Sequence, residues 1–258
     1  MNFANLIKGV FTDLYCLIKT IGIIILQNCC IHSEYTVIRN TNTYPIILLH
    51  GSGAHRAEFY DTIKMLKNKY NGSIIALTYD SEIYNDNYDG MIRKKIKKIN
   101  KVHHRKDSIE YYTDIITAKL KFYNFDKVIF VGHSLGGLVA AQYACDNTDK
   151  VHAIVTFGTP FQGTPRISQF PFSWYFANSK RYQDMKIGSN FLRNLRLKIN
   201  GNFPILTIGS PIDFHVPNRY AHLTDSEKIV VDDHMHFALH YCPKTWNKIL
   251  VWLYDINI

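Results

Sequence analysis

Val128-Ile-Phe-Val-Gly-His-Ser-Leu-Gly-Gly137 is an apolar run that passes directly into the pattern Gly-x-Ser-x-Gly, with Ser134 at its centre. The residues that follow, 138–144, favour a helix. A buried strand, a sharp turn and a helix in this order form a nucleophile elbow, in which the serine has strained backbone geometry. Gly132 and Gly136 lack a Cβ atom, so the strand and the helix can approach closely around the serine. The pattern therefore predicts an exposed, reactive hydroxyl at the end of a β-sheet.

A second glycine-rich turn offers candidates for an oxyanion hole. His50-Gly51-Ser52-Gly53 follows directly after residues 45–49, which read as an early buried strand. Beside a nucleophile elbow, one oxyanion donor is the N–H of the residue after the serine, here Leu135. The other comes from the loop after an early strand, and we predict that it is the N–H of Ser52. The alternative interpretation is an ordinary tight turn.

A serine nucleophile also needs an acid that orients its base. Asp213 follows the apolar run 205–209, which reads as a late strand. If the strands are parallel, this position lies at the same edge of the sheet as Ser134. Three other aspartates are weaker candidates because they lie in a distant loop or close in sequence to the histidine cluster: Asp225, Asp232 and Asp233.

Three histidines after the last apolar run, 228–231, compete for the role of general base. They are His234, His236 and His240. Any of them gives the chain order Ser, Asp, His, which differs from the two serine protease orders. With His215 and the neighbouring aspartates they would also suit a metal ion, but their spacing matches no strong zinc motif. We therefore predict no metal and no cofactor.

Apolar runs alternate with helical stretches from about residue 45 onward. They predict an α/β fold with a mostly parallel sheet and helices on both faces. The chain has 258 residues, of which 47% are hydrophobic. These values are typical of one globular domain with a sizeable core, which we place at residues 44–258. Residues 161–202 interrupt the alternation and are rich in aromatic side chains. We predict that this insertion is a helical lid or cap.

The N-terminal segment 1–43 contains an apolar stretch at 14–26 that Lys19 interrupts. It is short for a membrane span. Three interpretations are open: a membrane-associating segment with Cys29 and Cys30 as acylation sites, an amphipathic helix packed on the core, or a cleaved signal. Five scattered cysteines form no disulfide framework, which favours a cytoplasmic or membrane-associated protein over a secreted one.

The net charge of +9 favours anionic partners. No nucleic-acid fold signature accompanies it, so we do not expect nucleic acid to bind. Residues 92–106 carry eight basic side chains among positions 93–106, with an apolar stripe at Ile92, Ile96 and Ile99. A helix of this kind would lie on an anionic membrane, and the alternative is a solvated surface segment. The sequence leaves the oligomeric state open.

Several segments resemble those of lipase- and esterase-type α/β-hydrolases, including bacterial lipases and the GPI inositol-deacylase group. The resemblance spans roughly residues 44–253. Thr159-Pro-Phe-Gln-Gly163 resembles the family's TPHxG segment, with Phe161 in place of the usual histidine. Residues 236–243 resemble the segment that holds the family's catalytic histidine, although Met235 replaces the usual glycine before it. On this resemblance we choose His236 as the base.

The resemblance implies a serine esterase or lipase with a triad of Ser134, Asp213 and His236, an acyl-enzyme intermediate and a lipid-like ester as substrate. Residues expected to support the motifs are His50, Gly51, Gly132, His133 and Gly136. Two alternatives remain: an acyltransferase or thioesterase with the same triad, and a non-catalytic membrane-associated interaction module.

Overall fold

The computed structural model describes residues 3–28, 35–79, 90–169, 178–199 and 201–257. The strands are β1 (Thr36–Val37), β2 (Ile46–Leu49), β3 (Ile74–Leu77), β4 (Val128–His133), β5 (Val151–Phe157), β6 (Ile205–Gly209) and β7 (Glu227–Val230). The first five helices are α1 (Phe3–Asn28), α2 (Tyr60–Leu66), α3 (Gly90–Val102), α4 (Ile109–Tyr123) and α5 (Leu135–Asp146). Later helices are Arg166–Gln169, Lys180–Asp184, Asn190–Lys198, Asn218–Ala221 and Pro243–Asp255, and 3₁₀ turns cover Arg56–Phe59, Thr148–Lys150 and His236–Tyr241.

The strands of the described residues form one seven-stranded sheet in the order β1-β3-β2-β4-β5-β6-β7. Every pairing is parallel except that of β1 with β3. Since β4 is central, Ser134 leaves the sheet at its carboxyl edge between β2 and β5. The prediction of an α/β fold with a mostly parallel sheet is confirmed. Sequence patterns missed β1, because two residues are too few to show a period.

Helices cover both faces of the sheet, as expected for parallel strands. Along β2 the side chains alternate, so that Ile47 and Leu49 join a core with α4 and α5. Ile46 and Leu48 join a second core with α2 and the C-terminal helix, where Trp246 is fully buried. The sheet is therefore packed against a core on each face, and the candidate site residues follow the carboxyl ends of its strands.

Close packing at the elbow explains two of the predicted glycines. A Cβ on Gly132 would lie 2.4 Å from the backbone of Gly137. A Cβ on Gly136 would lie 2.1 Å from the carbonyl oxygen of Leu49. No real Cβ approaches backbone atoms so closely, and neither neighbour is a flexible side-chain end. Only glycine lets α5 begin directly against β2 and β4.

We expect Gly136→Ala to lower the free energy of unfolding by at least about 3 kcal/mol, because the new methyl group must displace sheet backbone. Urea unfolding followed by circular dichroism measures this loss. Gly22→Ala in α1 is the matched control, since its Cβ would have no neighbour within 4 Å. That variant should be neutral or more stable by up to about 1 kcal/mol. Equal stability of the two variants would contradict the packing described.

Helix α1 packs on the body of the protein beside the 3₁₀ turn His236–Tyr241. The Asp13 carboxylate accepts a hydrogen bond of 2.9 Å from the N–H of Ala238, and burial raises the pKa of Asp13. Lys8 pairs with Asp233 at 2.5 Å, and Lys19 pairs with Asp61. These contacts agree with the interpretation of the N-terminal segment as a helix packed on the core. They concern the side chains up to residue 22, which the structure describes. None of the helices in the described ranges combines the length and apolar character needed to cross a membrane.

Most of the basic segment forms α3, as an amphipathic pattern predicts, but the two stripe residues whose side chains the structure describes, Ile96 and Ile99, pack against the protein. Ile96 is buried in the core next to α4, and Ile99 packs against the same cluster. Among the side chains of α3 that the structure describes, 94–102, the exposed ones are Val102 and five lysines: Lys94, Lys95, Lys97, Lys98 and Lys101. Ile96 and Ile99 therefore serve folding, and the exposed lysines would attract an anionic surface electrostatically.

The described residues of the insertion 161–202 include three short helices, Arg166–Gln169, Lys180–Asp184 and Asn190–Lys198. Phe161 is fully buried, and its carbonyl accepts a hydrogen bond of 2.7 Å from Arg196. The aromatic residues at 170–176 lie outside the described residues. That the insertion acts as a lid stays a prediction.

Candidate active site

Ser134 has the strained geometry that the sequence pattern predicts. Its backbone angles are φ +52° and ψ −119°, a conformation that L-residues rarely adopt. Its N–H donates to the carbonyl of Phe157 on β5 at 2.8 Å, which fixes the turn. The serine directly precedes α5, whose first amides have no intrahelical acceptor and carry the positive end of the helix dipole. The hydroxyl is thus held where developing negative charge is favoured.

Asp213 and His236 meet at the carboxyl edge of the sheet. The Nδ1 atom of His236 lies 2.7 Å from Oδ2 of Asp213, and both side chains are almost completely buried. The other oxygen of Asp213 accepts hydrogen bonds of 2.8 Å from the N–H groups of His215 and Val216. Because a carboxylate only accepts, Nδ1 of His236 carries the proton and Nε2 is the basic atom.

The competing candidates lie elsewhere. His234 pairs with Asp233, at 2.6 Å between Nδ1 and Oδ1. His240 is buried among other groups, described below. Asp225 and Asp232 are exposed and have no histidine partner among the described residues. Aspartates and histidines that are close in the sequence therefore form separate pairs in the structure. Of the two pairs described here, the one of Asp213 with His236 faces the cavity of Ser134.

A cavity of about 250 Å³ connects the candidate residues. Ser134, His236 and Ser52 all line it. Much of the remaining lining is apolar: Pro160, Ile167, Met185, Val216 and Phe237. In the described part of the chain, no hydrogen bond joins Ser134 to His236. Such bonds are often long in unliganded sites and shorten when a substrate binds.

The two predicted oxyanion donors come from the start of α5 and from the glycine-rich turn after β2. The N–H of Leu135 is the first amide of α5, which has no intrahelical acceptor. Gly51 packs against the elbow, since a Cβ on it would lie 3.5 Å from that of Ser134. The N–H of Gly51 already donates to Glu58 at 3.1 Å. Both Gly51 and Ser52 line the cavity, and since the Gly51 amide is engaged, Ser52 stays the predicted donor from this turn.

The His50 side chain supports the turn and does not take part in the cavity. It is fully buried and stacks on Tyr79, with ring centroids 4.4 Å apart. The hydroxyl of Tyr79 donates to the carbonyl of His50 at 2.5 Å. His133, the histidine of the Gly-x-Ser-x-Gly motif, packs against His236, with ring centroids 4.8 Å apart. Its Nε2 is 3.0 Å from the carbonyl oxygen of His236.

Glu58 is a buried residue next to the site that no sequence pattern indicates. Its carboxylate is buried and contacts Nδ1 of His133. Burial opposes its charge, but the nearby histidines, His133 first, hold the pKa of Glu58 down to about 2. Burial likewise opposes the charge of His133, yet Glu58 raises the pKa of that imidazole. Glu58 lies 75 positions before its partner, outside any local motif, so only the fold reveals the pair.

Two histidines near the site, the half-buried His215 and the fully buried His240, resist protonation. Burial, reinforced by His236, lowers the pKa of His215 to about 4. Burial also lowers the pKa of His240 to about 4. As the pH falls below the ordinary value of 6.5, the unfolded chain gains protons that the folded chain does not take up. The free energy of unfolding therefore decreases with falling pH, down to about pH 4.

We expect this decrease to be shallower in His215→Gln by up to about 1.4 kcal/mol per pH unit, which is the contribution of one proton. Urea unfolding at pH 7.0, 6.0 and 5.0 measures the slope. His104→Gln, at an exposed position, is the matched control and should keep the wild-type slope. An unchanged slope in His215→Gln would show that His215 does not contribute.

Comparison with known proteins identifies the family of the chain. A family model described as "Alpha/beta hydrolase of unknown function (DUF915)" matches residues 33–213. This range includes the serine elbow and ends at Asp213. No curated protein matches the sequence.

Solved structures of α/β-hydrolases share the fold at low identity. The 2-hydroxy-6-oxo-6-phenylhexa-2,4-dienoate hydrolase of Rhodococcus sp. strain RHA1 is 17% identical, with a TM-score of 0.57 over 83% of this chain and 91% of that one. The monoacylglycerol lipase of Paleococcus ferrophilus is 13% identical, with a TM-score of 0.55 over 88% and 100%. A bromoperoxidase from Bacillus anthracis is 16% identical, with a TM-score of 0.57 over 82% and 92%. These likenesses concern the fold alone.

Proposed function

The chain belongs to the family of α/β-hydrolases of unknown function (DUF915), and from this premise we propose that it cleaves carboxylic esters with a triad of Ser134, His236 and Asp213. The observation that carries the proposal is the 2.7 Å contact between His236 and Asp213 beside a cavity that also exposes the strained Ser134. The contact leaves the Nε2 lone pair of His236 available to a hydroxyl. The chain order Ser, Asp, His is that of α/β-hydrolases.

The mechanism follows from the roles of these atoms. Ser134 Oγ attacks the acyl carbonyl, and Nε2 of His236 takes the hydroxyl proton. The N–H groups of Leu135 and Ser52 donate to the oxyanion. As the C–O bond to the alcohol breaks, the imidazolium returns its proton to the leaving oxygen. Water then attacks the acyl-enzyme with the same histidine as base, which releases the carboxylic acid and restores the serine.

A fluorophosphonate probe tests the proposal directly, since it reacts with activated serines whatever the natural substrate. We expect the adduct on Ser134, located by peptide mass spectrometry, in the wild-type protein. His236→Ala should abolish labelling, and His234→Ala, the matched control, should label at the wild-type rate. Failure of the folded wild type to label, or loss of labelling only in His234→Ala, would refute the assignment.

We further propose that the ester is lipid-like. The apolar residues Ile167, Met185, Val216 and Phe237 in the cavity lining favour an acyl chain. One of the structurally similar proteins is a monoacylglycerol lipase. In a series of p-nitrophenyl esters, we expect kcat/KM to rise from acetate to octanoate. A preference for acetate would instead indicate a small-ester hydrolase.

The outer face of α1 suggests where such a substrate is found. Phe3, Phe11 and Ile18 are 73%, 70% and 61% exposed. We propose that this face contacts a lipid surface and that the α3 lysines add attraction to anionic headgroups. Flotation with phosphatidylglycerol vesicles should carry the protein upward. Phe11→Ser with Ile18→Ser should abolish this, and 0.5 M salt should weaken it. No flotation of the wild type would refute this contact.

The same triad would serve an acyltransferase or thioesterase if an alcohol replaced water as acceptor, or a thioester replaced the ester. Product analysis with added alcohol distinguishes transfer from hydrolysis, and acyl-thioester substrates test the thioesterase. A non-catalytic membrane module is the remaining alternative. The paired Asp213 and His236 argue against it, since a binding module needs no oriented imidazole.

A further inference from the structure

One buried carboxylate lies where three segments of the candidate site meet. Glu58 is 4% exposed and belongs to the 3₁₀ turn Arg56–Phe59, which follows the glycine-rich turn. Its side chain contacts Gly51 of the glycine-rich turn and His133 of the elbow. Its backbone contacts the turn His236–Tyr241, which carries the proposed base. The proposed triad does not use this carboxylate, so its central position needs a separate explanation.

The contacts of His133 show which of its ring nitrogens carry protons. Nδ1 forms an ion pair with Oε1 of Glu58, and Nε2 lies 3.0 Å from the carbonyl oxygen of His236. An ionised carboxylate and a carbonyl oxygen only accept hydrogen bonds, so both ring nitrogens donate and the ring is an imidazolium. Burial opposes both charges, yet His133 holds the pKa of Glu58 down to about 2, and Glu58 raises the pKa of His133.

The second oxygen of the carboxylate holds the glycine-rich turn. Oε2 of Glu58 accepts the N–H of Gly51 at 3.1 Å. Gly51 also packs closely on the elbow, since a Cβ on it would lie 3.0 Å from Nδ1 of His133. Ser52, the predicted oxyanion donor, is the next residue. Glu58 therefore connects the turn that carries this donor to the elbow that carries the nucleophile.

The turn with the proposed base is held from the same two residues. His133 donates to the carbonyl of His236, and the two rings pack with centroids 4.8 Å apart. The backbone carbonyl of Glu58 accepts hydrogen bonds from the Tyr241 hydroxyl at 2.8 Å and from Nε2 of His240 at 3.2 Å. Because His133 directly precedes the nucleophile in the chain, these contacts fix the base relative to the elbow.

We propose that Glu58 and His133 form a positioning pair that sets His236 and the oxyanion turn against Ser134. The inference rests on the proposed ester hydrolysis and assigns it two residues that act through others. A buried ion pair adds little net stability, because desolvation offsets the attraction between its charges. In contrast, a displacement of about 1 Å at a reacting group can slow catalysis roughly 100-fold. The pair is therefore expected to matter more for rate than for stability.

Glu58→Met tests the pair, since it removes both side-chain contacts and keeps a side chain of similar length. We expect kcat for p-nitrophenyl butyrate to fall roughly 100-fold, while KM stays within about threefold because the apolar cavity lining is unchanged. Fluorophosphonate labelling of Ser134 should slow in proportion. Both rates are measured on full-length protein, well below the unfolding midpoint found by circular dichroism.

Two further variants separate positioning from a general loss of stability. In Glu58→Gln, the amide can accept the N–H of Gly51 and donate to Nδ1 of a neutral His133, whose Nε2 still donates to His236. This variant should recover at least about tenfold of the kcat lost in Glu58→Met. Ile249→Ala is the control, because Ile249 is fully buried but does not line the cavity. It should lose stability and keep kcat within about twofold of wild type.

Proton NMR tests the pair without any substrate. A ring proton shared with a carboxylate in a short, charge-assisted hydrogen bond resonates far downfield. We expect two such signals in the wild type, from Nδ1 of His133 and Nδ1 of His236. Glu58→Gln should remove one signal, and Asp213→Asn should remove the other. Persistence of both signals in Glu58→Gln would overturn the assignment.

The labelling results distinguish failure of the pair from failure of the proposed function. If the wild type labels and folded Glu58→Met labels equally fast, the positioning role is wrong and the proposed function stands. If the folded wild type does not label, the proposed function fails and the positioning role fails with it. A Glu58→Gln variant as slow as Glu58→Met would also overturn the proposal. If Glu58→Met does not fold, His133→Leu breaks the pair from its other side and should show the same split between kcat and KM.

Discussion

Ser134→Ala is expected to lower kcat for p-nitrophenyl butyrate by roughly 10⁴–10⁶-fold, the loss seen when a triad nucleophile is removed. The methyl group cannot form the acyl-enzyme, so only binding and the oxyanion donors remain. Thermal unfolding should be nearly unchanged, because alanine removes one hydroxyl and keeps the backbone contact of 2.8 Å with Phe157. Initial rates of both proteins, at concentrations set by absorbance, measure the effect.

The control for this prediction is Ser226→Ala, at a serine that bonds Thr207 at 2.9 Å and does not line the cavity. It should retain wild-type turnover. If Ser134→Ala keeps more than about a hundredth of the wild-type rate, another nucleophile acts, since triad variants retain far less. The proposed function would then be wrong in its mechanism.

The elbow was predictable because most of its requirements are local. The positive φ at Ser134 and the close approach of Gly132 to Gly137 involve residues within a few positions, whereas Gly136 packs against the backbone of Leu49 on β2. The buried strands were predictable for a similar reason, since runs such as 46–49 are apolar at every position. Their parallel pairing was predictable as well, because it is typical of strands that alternate with helices. The order of the strands in the sheet was not predicted. Local sequence patterns were therefore enough to predict the fold class and the position of Ser134.

The choice among the histidines could not be made from residue patterns. His234 and His236 are two positions apart in a loop, and both have an aspartate partner in the structure. Only the three-dimensional path of the loop after β6 brings Asp213 to His236. Resemblance to a family favoured the same residue, but by analogy and not by any physical property of the loop.

Long-range contacts explain the remaining gaps. The stripe of α3 was visible in the sequence, yet a periodic pattern does not say whether Ile96 faces a membrane or α4. The packing of α1 depends on Asp13, whose partner Ala238 is 225 positions away. Glu58 belongs to no motif. Each of these features rests on a pair of residues that the folded chain, and not the local sequence, brings together.

Asp213→Asn tests the orientation of the base and should lower kcat by roughly 10⁴-fold, as loss of the correct histidine tautomer does in other triads. Asparagine can keep the two hydrogen bonds that Oδ1 accepts from His215 and Val216. Its NH₂ group then faces Nδ1 of His236, which must act as acceptor. The ring proton moves to Nε2, and the base can no longer take the proton of Ser134.

The matched control is Asp233→Asn, which makes the same change beside His234, where the Nδ1–Oδ1 distance is 2.6 Å. It should leave kcat within about twofold of wild type, because the His234 pair does not line the cavity. Steady-state rates of both variants, with unfolding midpoints to show intact folds, decide between the two pairs. A larger loss in Asp233→Asn would make His234 the base. Equal small losses would show that neither aspartate orients the catalytic imidazole.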